Sequence, residues 1–340
     1  MVQLNPPSWA RTDDLDRIRP PLDSSLVQAI GIDIGGTKIA GALVDDDGRI
    51  LRSERRPTPA GDATAIVDDT VAIVRSLAGE GAIPPVGVVV PGFLDADREQ
   101  VYYAPNISFR EVPLRALLVE RLPGVAITID NDANAAGWAE HRYGVGRGAG
   151  DMVLLTIGTG VGGAVVVDDR LLRGGFGVAG EIGHMRLVPD GLPCGCGQRG
   201  CVEQYGSGRA LLRVAGEIAD AGGIGVALAA ARQADGALDA TNVGRLLVEQ
   251  DPGALAALRR LGERLGETCA SIGAVLDPRL FVFGGGVAAA GELLLEPIRE
   301  SFRAHVPARG FHPEPEFVIA ELVNDAGVVG AADLARTLGL

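Results

Sequence analysis

An apolar run, a glycine turn and a second apolar run occur twice in this chain, and this repetition constrains the fold more than any other feature. It runs first from Ala29 to Ile34, through Gly35-Gly36-Thr37-Lys38, into Ile39 to Val44, with a turn at Asp45 to Gly48. It returns at Met152 to Ile157, Gly158-Thr159-Gly160-Val161-Gly162-Gly163 and Ala164 to Val167, with Asp168-Asp169 before Leu171 and Leu172. Apolar, often β-branched runs joined by glycine turns read as a β-meander, and the recurrence predicts two related halves. Amphipathic periodicity predicts helices at about 62–79, 132–142, 208–221, 252–275 and 289–304, with strands near 86–90, 125–129 and 280–283. Alternating strands and helices make the class α/β. A chain of 340 residues exceeds what one hydrophobic core usually serves. Two α/β domains are expected, over 28–128 and 129–324, with a final helix at about 325–338 packing back on the first. Residues 1–27 contain Pro6-Pro7 and Pro20-Pro21 without sustained periodicity, the pattern of an extended lead-in.

The glycine turns fit neither common nucleotide fingerprint. Gly158, Gly160 and Gly163 have dinucleotide-binding spacing, but β-branched residues follow where that fingerprint needs a helix. Gly35-Gly36-Thr37-Lys38 lacks the spacer and terminal glycine of a P-loop, and a strand follows it. Each turn alone also reads as an ordinary tight hairpin. Two alike turns facing a cleft could present backbone N–H groups, Thr37, Lys38 and Thr159 to a polyphosphate. Gly284-Gly285-Gly286, between a strand and a helix, suits close approach of a nucleotide base or ribose.

Glu181-Ile-Gly-His184 is followed by Cys194-Gly-Cys196-Gly-Gln-Arg-Gly-Cys201-Val-Glu203, which gathers one imidazole and three thiols in a glycine-rich stretch. Four N/S ligands suit a structural zinc ion in a tetrahedron. A disulfide reading leaves one of three thiols unpaired, and a Cys-X-Cys pair bridges only with strain. Cys269 stands alone in an apolar helical pattern. Nothing here resembles the disulfide framework of a secreted protein, so a reducing cytoplasm is the expected compartment. No apolar run approaches the roughly 20 residues of a membrane span, and the N-terminus shows acids and prolines instead of a signal pattern. A net charge of −13 opposes non-specific nucleic-acid binding.

The ordered set Asp33-Ile-Gly-Gly-Thr-Lys38, Val90-Pro91-Gly92, Ala104-Pro105-Asn106, Asn131-Asp132-Ala133-Asn134, Gly158 to Gly163, Glu181 to His184, Cys194 to Glu203 and Gly284 to Gly286 resembles the ROK family of sugar kinases and repressors. The resemblance covers nearly everything from residue 28 onward. It is strongest to the ATP-dependent glucokinase branch, through Ala179-Gly-Glu-Ile-Gly-His-Met185, Pro189-Asp-Gly191 and Glu203-Gln-Tyr205. It implies the actin-like ATPase (ribonuclease H-like) fold, with an interdomain cleft holding the sugar at its base, and a homodimer or tetramer. It implies phosphorylation of glucose at the 6-hydroxyl, with ATP and Mg²⁺ as cofactors and a structural Zn²⁺.

Residue by residue, the resemblance makes Asp132 the catalytic base, a position that otherwise reads as a helix N-terminal acid. Asn106, Asn131, Asp132, Glu181, His184 and Glu203 become sugar contacts, whereas Asn106 alone reads as a turn residue and Glu203 as a surface acid. Asp33, Gly35, Gly36, Thr37 and Lys38 would face the phosphates and metal. Gly158, Thr159, Gly160, Gly162 and Gly163, with Gly284, Gly285 and Gly286, would face the nucleotide. His184, Cys194, Cys196 and Cys201 would hold zinc. His141, His305 and His312 have no ligand-like neighbours and read as ordinary surface or helix residues. Asp130 stands where the family usually has Glu. The alternatives are a kinase for N-acetylglucosamine, N-acetylmannosamine or an amino-glucose such as kanosamine, polyphosphate as donor, or a sugar-responsive repressor. The 27 Pro-interrupted residues before the first strand weigh against a helix-turn-helix module.

Overall fold

β-Branched and aliphatic side chains build the centre of the first sheet. The structure is a computed structural model that describes residues 28–59 and 61–338. The lead-in expected over 1–27 lies outside the described residues. Strand β1 (Ala29–Ile34) turns into β2 (Lys38–Val44), and β3 (Ile50–Pro57) completes the meander. Helix α1 (Ala63–Ala78) leads to β4 (Val86–Val90), and β5 (Phe93–Leu94), β6 (Val101–Tyr103) and β7 (Arg110–Val112) form a small separate sheet. Helix α2 (Leu114–Arg121) returns to β8 (Ile127–Asn131), which passes directly into α3 (Asp132–Tyr143). The second meander is β9 (Met152–Ile157), β10 (Val161–Val167) and β11 (Arg170–Leu171). After it come α4 (Glu203–Gly206), α5 (Gly208–Ala221), α6 (Val226–Asp235), α7 (Ala240–Val248) and α8 (Pro252–Leu276). The chain continues through β12 (Leu280–Gly284), α9 (Glu292–His305), β13 (Glu316–Ile319) and α10 (Ala326–Leu338).

The two large sheets repeat one plan. Their strand orders are β3-β2-β1-β4-β8 and β11-β10-β9-β12-β13. In the first, β1 is antiparallel to β2 and parallel to β4, and β4 is parallel to β8. In the second, β12 is parallel to both β9 and β13. Every residue of β4 and of β12 is buried, which explains why both read as unbroken apolar runs.

Elements that the sequence pattern does not signal are short or polar. Edge strand β3 carries Arg52, Ser53, Glu54, Arg55 and Arg56, and charged side chains protect such an edge from further pairing. The helix expected from 289 begins at Glu292, because Gly291 at φ 58 separates it from a 3₁₀ turn over Gly286–Ala290.

The chain divides into two compact units. One comprises the described residues up to Gly150, Val166–Ala179 and the segment from Asn324; the other comprises Asp151–Val165 and Gly180–Val323. The division falls at 150 instead of 128 because β8 pairs with β4 and α3 packs on α10, so both belong to the first unit. The first core gathers Ile30, Ile32, Ile66, Ile73, Val88, Phe109 and Ile129. Helix α10 lies against β1, β4 and α3 at a distance that only glycine permits. A Cβ on Gly31 would strike the Val328 carbonyl, one on Gly87 the Ala331 carbonyl, and one on Gly330 the Ala135 carbonyl.

This close approach makes Gly87→Val destabilising by about 3 kcal/mol, since the helix must move or strain. A Cβ on Gly216, in α5, would meet no atom within 4 Å. Gly216→Ala should be neutral or stabilising by ~0.5 kcal/mol. Denaturant unfolding of both variants checks the contrast.

Candidate active site

In the first unit, β1 ends beside the Gly35–Thr37 turn, which the Gly35 amide closes by donating to the Lys38 carbonyl at 2.9 Å. Thr37 and Lys38 are exposed at this turn. A Cβ on Gly36 would lie 3.0 Å from the Asn106 Cβ, so the turn and the Asn106 loop are neighbours. That loop is closed by the Ala104 amide donating to the Phe109 carbonyl at 3.1 Å. Arg110 Nη1 also donates to the carbonyls of Ala104, Ile107 and Phe109, at 2.5, 3.1 and 2.7 Å.

Asn131 is the N-cap of α3: its Oδ1 accepts from the Asn134 amide at 3.0 Å, and its Nδ2 donates to the Gly92 carbonyl at 3.1 Å. Asp132 is therefore the first helical residue, not the cap, and its Oδ1 accepts from the Ala133 amide at 2.8 Å. The motifs at 33–38, 90–92, 104–106 and 131–134 thus assemble in one region of this unit.

The electrostatics of that region are strained. Burial, then the charge of Asp132, pushes the Asp33 carboxyl from 3.8 up to about 7, against an opposing effect of Lys38. Burial also raises Asp132, although amide hydrogen bonds lower it. A carboxyl raised by the charge of a neighbouring carboxylate marks a natural place for a hard cation with oxygen ligands.

In the second unit, the Gly158 amide donates to the Gly160 carbonyl at 3.0 Å, and Gly208 donates to the Gly158 carbonyl at 2.8 Å. Glu203 reaches this turn, accepting from the Val161 amide at 3.3 Å. A Cβ on Gly160 would strike the Glu203 carboxylate. Gly162 and Gly163 are strand residues of β10. Gly163 allows close approach of the Gly180 carbonyl and Ile182, so it packs the Glu181 segment instead of lining the turn. Gly285, at φ 83, lies against Ile157. One contributor has no signal in its surroundings: Arg209, whose Nε donates to the Thr159 carbonyl at 2.9 Å and whose Nη2 lies 3.3 Å from Glu203.

The four expected metal ligands converge. His184, Cys194, Cys196 and Cys201 each offer one ligand atom, and these lie within 4.8 Å of one another. His184 Nδ1 is 3.8 Å from Cys194 Sγ, and Cys196 Sγ is 3.7 Å from Cys201 Sγ. Metal–sulfur bonds of about 2.3 Å in a tetrahedron place sulfurs about 3.8 Å apart, so the set fits such an ion. Backbone hydrogen bonds shape the loop: Cys194 donates to Gln198 and Val202 to Met185, at 2.8 and 2.9 Å. Burial and the adjacent thiols push Cys201 up to about 12, so three thiolates coexist here only around a cation. Elsewhere, His141 is a buried helix residue, with Nε2 3.2 Å from Asp169.

The chain matches the model of the ROK family over residues 29–338. A glucokinase of Streptomyces coelicolor is 41% identical over 309 residues, 90% of this chain and 97% of that protein. An N-acetylmannosamine kinase of Escherichia fergusonii is 37% identical over 311 residues, 90% of this chain and 98% of its own. The crystal structure of a ROK family glucokinase from Streptomyces griseus in complex with glucose and AMPPNP gives a TM-score of 0.81 at 42% identity, covering 91% of this chain and 99% of that chain.

Because the Asp33 carboxyl titrates near 7 in the folded chain and near 3.8 otherwise, its ionisation opposes folding. The penalty is absent below about pH 4 and complete above about pH 8. Asp33→Asn should therefore be more stable than the parent at pH 8 by on the order of 2–4 kcal/mol, seen as a higher melting temperature, with the difference vanishing near pH 4. Thermal melts across pH without nucleotide or divalent metal measure it.

Proposed function

Since the chain belongs to the ROK family, we propose that it phosphorylates glucose at the 6-hydroxyl with ATP, giving glucose 6-phosphate and ADP. It is a hexokinase-type kinase with the actin-like ATPase fold. The observation that carries this reading is 41% identity to a glucokinase across 90% of the chain. The neighbourhood of Asp33, Asp132, Asn106 and the Gly35–Thr37 turn supports it.

In this reading Asp132 accepts the proton of the 6-hydroxyl as that oxygen bonds to the γ-phosphorus. The bond from that phosphorus to its bridging oxygen breaks, and ADP departs with the electron pair. Burial, which raises the proton affinity of Asp132, suits it to the task. Asn106, Asn131, Glu181, His184 and Glu203 orient the sugar by hydrogen bonds to its hydroxyls. The Gly35–Lys38 and Gly158–Gly160 turns and Gly284 to Gly286 serve the nucleotide. Magnesium neutralises the phosphates when bound, and Asp33 is the carboxylate suited to holding it, directly or through water.

We assign zinc to His184, Cys194, Cys196 and Cys201, a closed four-ligand set that leaves no coordination position for substrate. With Nδ1 on the metal side, Nε2 of His184 is the atom offered to a sugar hydroxyl. We further propose a cytoplasmic homodimer. N-acetylmannosamine is the second substrate reading, carried by the 37% identity to a kinase for that sugar.

Initial rates with ATP and Mg²⁺ across glucose, mannose, glucosamine, 3-amino-glucose and the N-acetyl sugars test the reading, and kcat/KM should be highest for glucose. A lead for N-acetylmannosamine transfers the same chemistry to the second reading. Asp132→Asn should keep glucose binding and lower kcat by ~10⁴-fold, because proton transfer and positioning each contribute roughly 10². Stripping the metal from the folded enzyme, followed by element analysis, should weaken glucose binding by at least ~10-fold through loss of the loop that carries Glu181 and Glu203.

A further inference from the structure

A buried ionic cluster holds the turn that presents Asp132. Asp130, 1% exposed, is the penultimate residue of β8. Its Oδ1 accepts from the Asn131 amide at 2.8 Å and from Asn134 Nδ2 at 3.1 Å. The Asn134 amide in turn donates to Asn131 Oδ1. These bonds close a ring of side chain and backbone around the first turn of α3, with Asp132 inside it. The other oxygen, Oδ2, accepts from Arg173 Nε at 2.8 Å, with Nη2 of the same guanidinium 2.7 Å away. Both nitrogens face this one oxygen, so the guanidinium holds Asp130 through a single charge-assisted hydrogen bond from Nε and a close ion pair.

A second guanidinium supports the same carboxylate. Arg98 is 7% exposed, and its Nε lies 3.5 Å from Asp130 Oδ1. Its Nη1 donates to the carbonyls of Asp95 and Gly177, at 3.1 and 3.2 Å. Arg98 holds φ 57, a left-handed conformation that a long side chain adopts only where its surroundings over-determine it. Asp130 thus joins three separate stretches of chain: the turn at 95–98, the base turn at 131–134 and the segment at 173–177.

Resting on the phosphotransfer reading above, we propose that Asp130 is a positioning residue for Asp132, held in place by Arg173 and Arg98. It touches no substrate. It fixes the Asn131 amide and the Asn134 side chain, and through them the direction of the carboxylate between. Displacement of a reacting group by about an ångström costs ~10²-fold in rate, which is the scale of effect at stake.

The test uses the full chain carrying Asp130→Asn, Asp130→Glu, Arg173→Gln and the Asp130→Asn/Arg173→Gln pair, each confirmed folded by its melting transition. For Asp130→Asn, kcat should fall ~30- to 100-fold, with KM for ATP within ~2-fold of the parent. Asp130→Glu keeps the carboxylate and should recover at least ~10-fold of that loss. The double variant should be no worse than the more impaired single, since the two residues act as one unit. Should Asp130→Asn not fold, Arg173→Gln carries the same expectation of low kcat with unchanged KM for ATP. A folded Asp130→Asn or Arg173→Gln enzyme with kcat within ~3-fold of the parent overturns the positioning role while leaving the kinase reading intact. A parent enzyme that phosphorylates no hexose overturns both.

Discussion

The placement of Asp33 and Asp132 in the first unit depends on how closely one helix can approach one sheet. Helix α10 meets β1 and β4 through Gly31 and Gly87, and it meets α3 through its own Gly330. Backbone contact without intervening side chains leaves little room for sliding, because the opposing surfaces are carbonyls and Cα atoms. β1 carries Asp33 and α3 opens with Asp132, so the same helix sets the positions of both carboxylates. The Asp33 carboxylate would also collide with a Cβ on Gly327, at the start of α10. Buried Asp333 completes the union, accepting from Trp138 Nε1 at 2.8 Å and from Arg142 Nε at 3.2 Å, and bonding Tyr143 Oη.

Rigidity of this kind permits an unfavourable local arrangement. Asp33 and Asp132 are held where their charges oppose one another in a poorly hydrated site, which no isolated turn would tolerate. The second unit solves a related problem differently. Its three thiols and the His184 imidazole converge in a loop rich in glycine, a set that a divalent cation would both charge-balance and order. One unit stores electrostatic strain on a packed scaffold; the other gathers ligand atoms that suit an ion.

The sequence revealed these features unevenly. The two meanders were legible because β-branched runs flank paired glycines, and the matched strand orders confirm their repetition. The convergence of His184, Cys194, Cys196 and Cys201 was legible because they span only residues 184–201, close enough for spacing to imply it. Edge strand β3 hid behind its charges, and β5, β6 and β7, two or three residues each, offer too few positions for any period to show. Gly163 followed the expected spacing yet serves packing, because a glycine looks alike whether a ligand or a neighbouring backbone approaches it. Asp130 drew notice only as a conservative departure from the family pattern. Its partners lie 32 and 43 residues away, at Arg98 and Arg173, and a salt bridge across such distances leaves no local trace.

The placement of α10 also bears on how the protein is made. The second unit draws its sheet and helices from Asp151 to Val323, apart from the excursion at Val166–Ala179. The first unit begins with β1 at Ala29 and needs a helix that starts at Ala326. During synthesis, the earliest strands must wait for nearly the whole chain to leave the ribosome before their exposed face is covered. The later half of the chain therefore can complete its core first, and the surroundings of Asp33 and Asp132 are assembled last, by contacts between sequence-distant ends of the described chain.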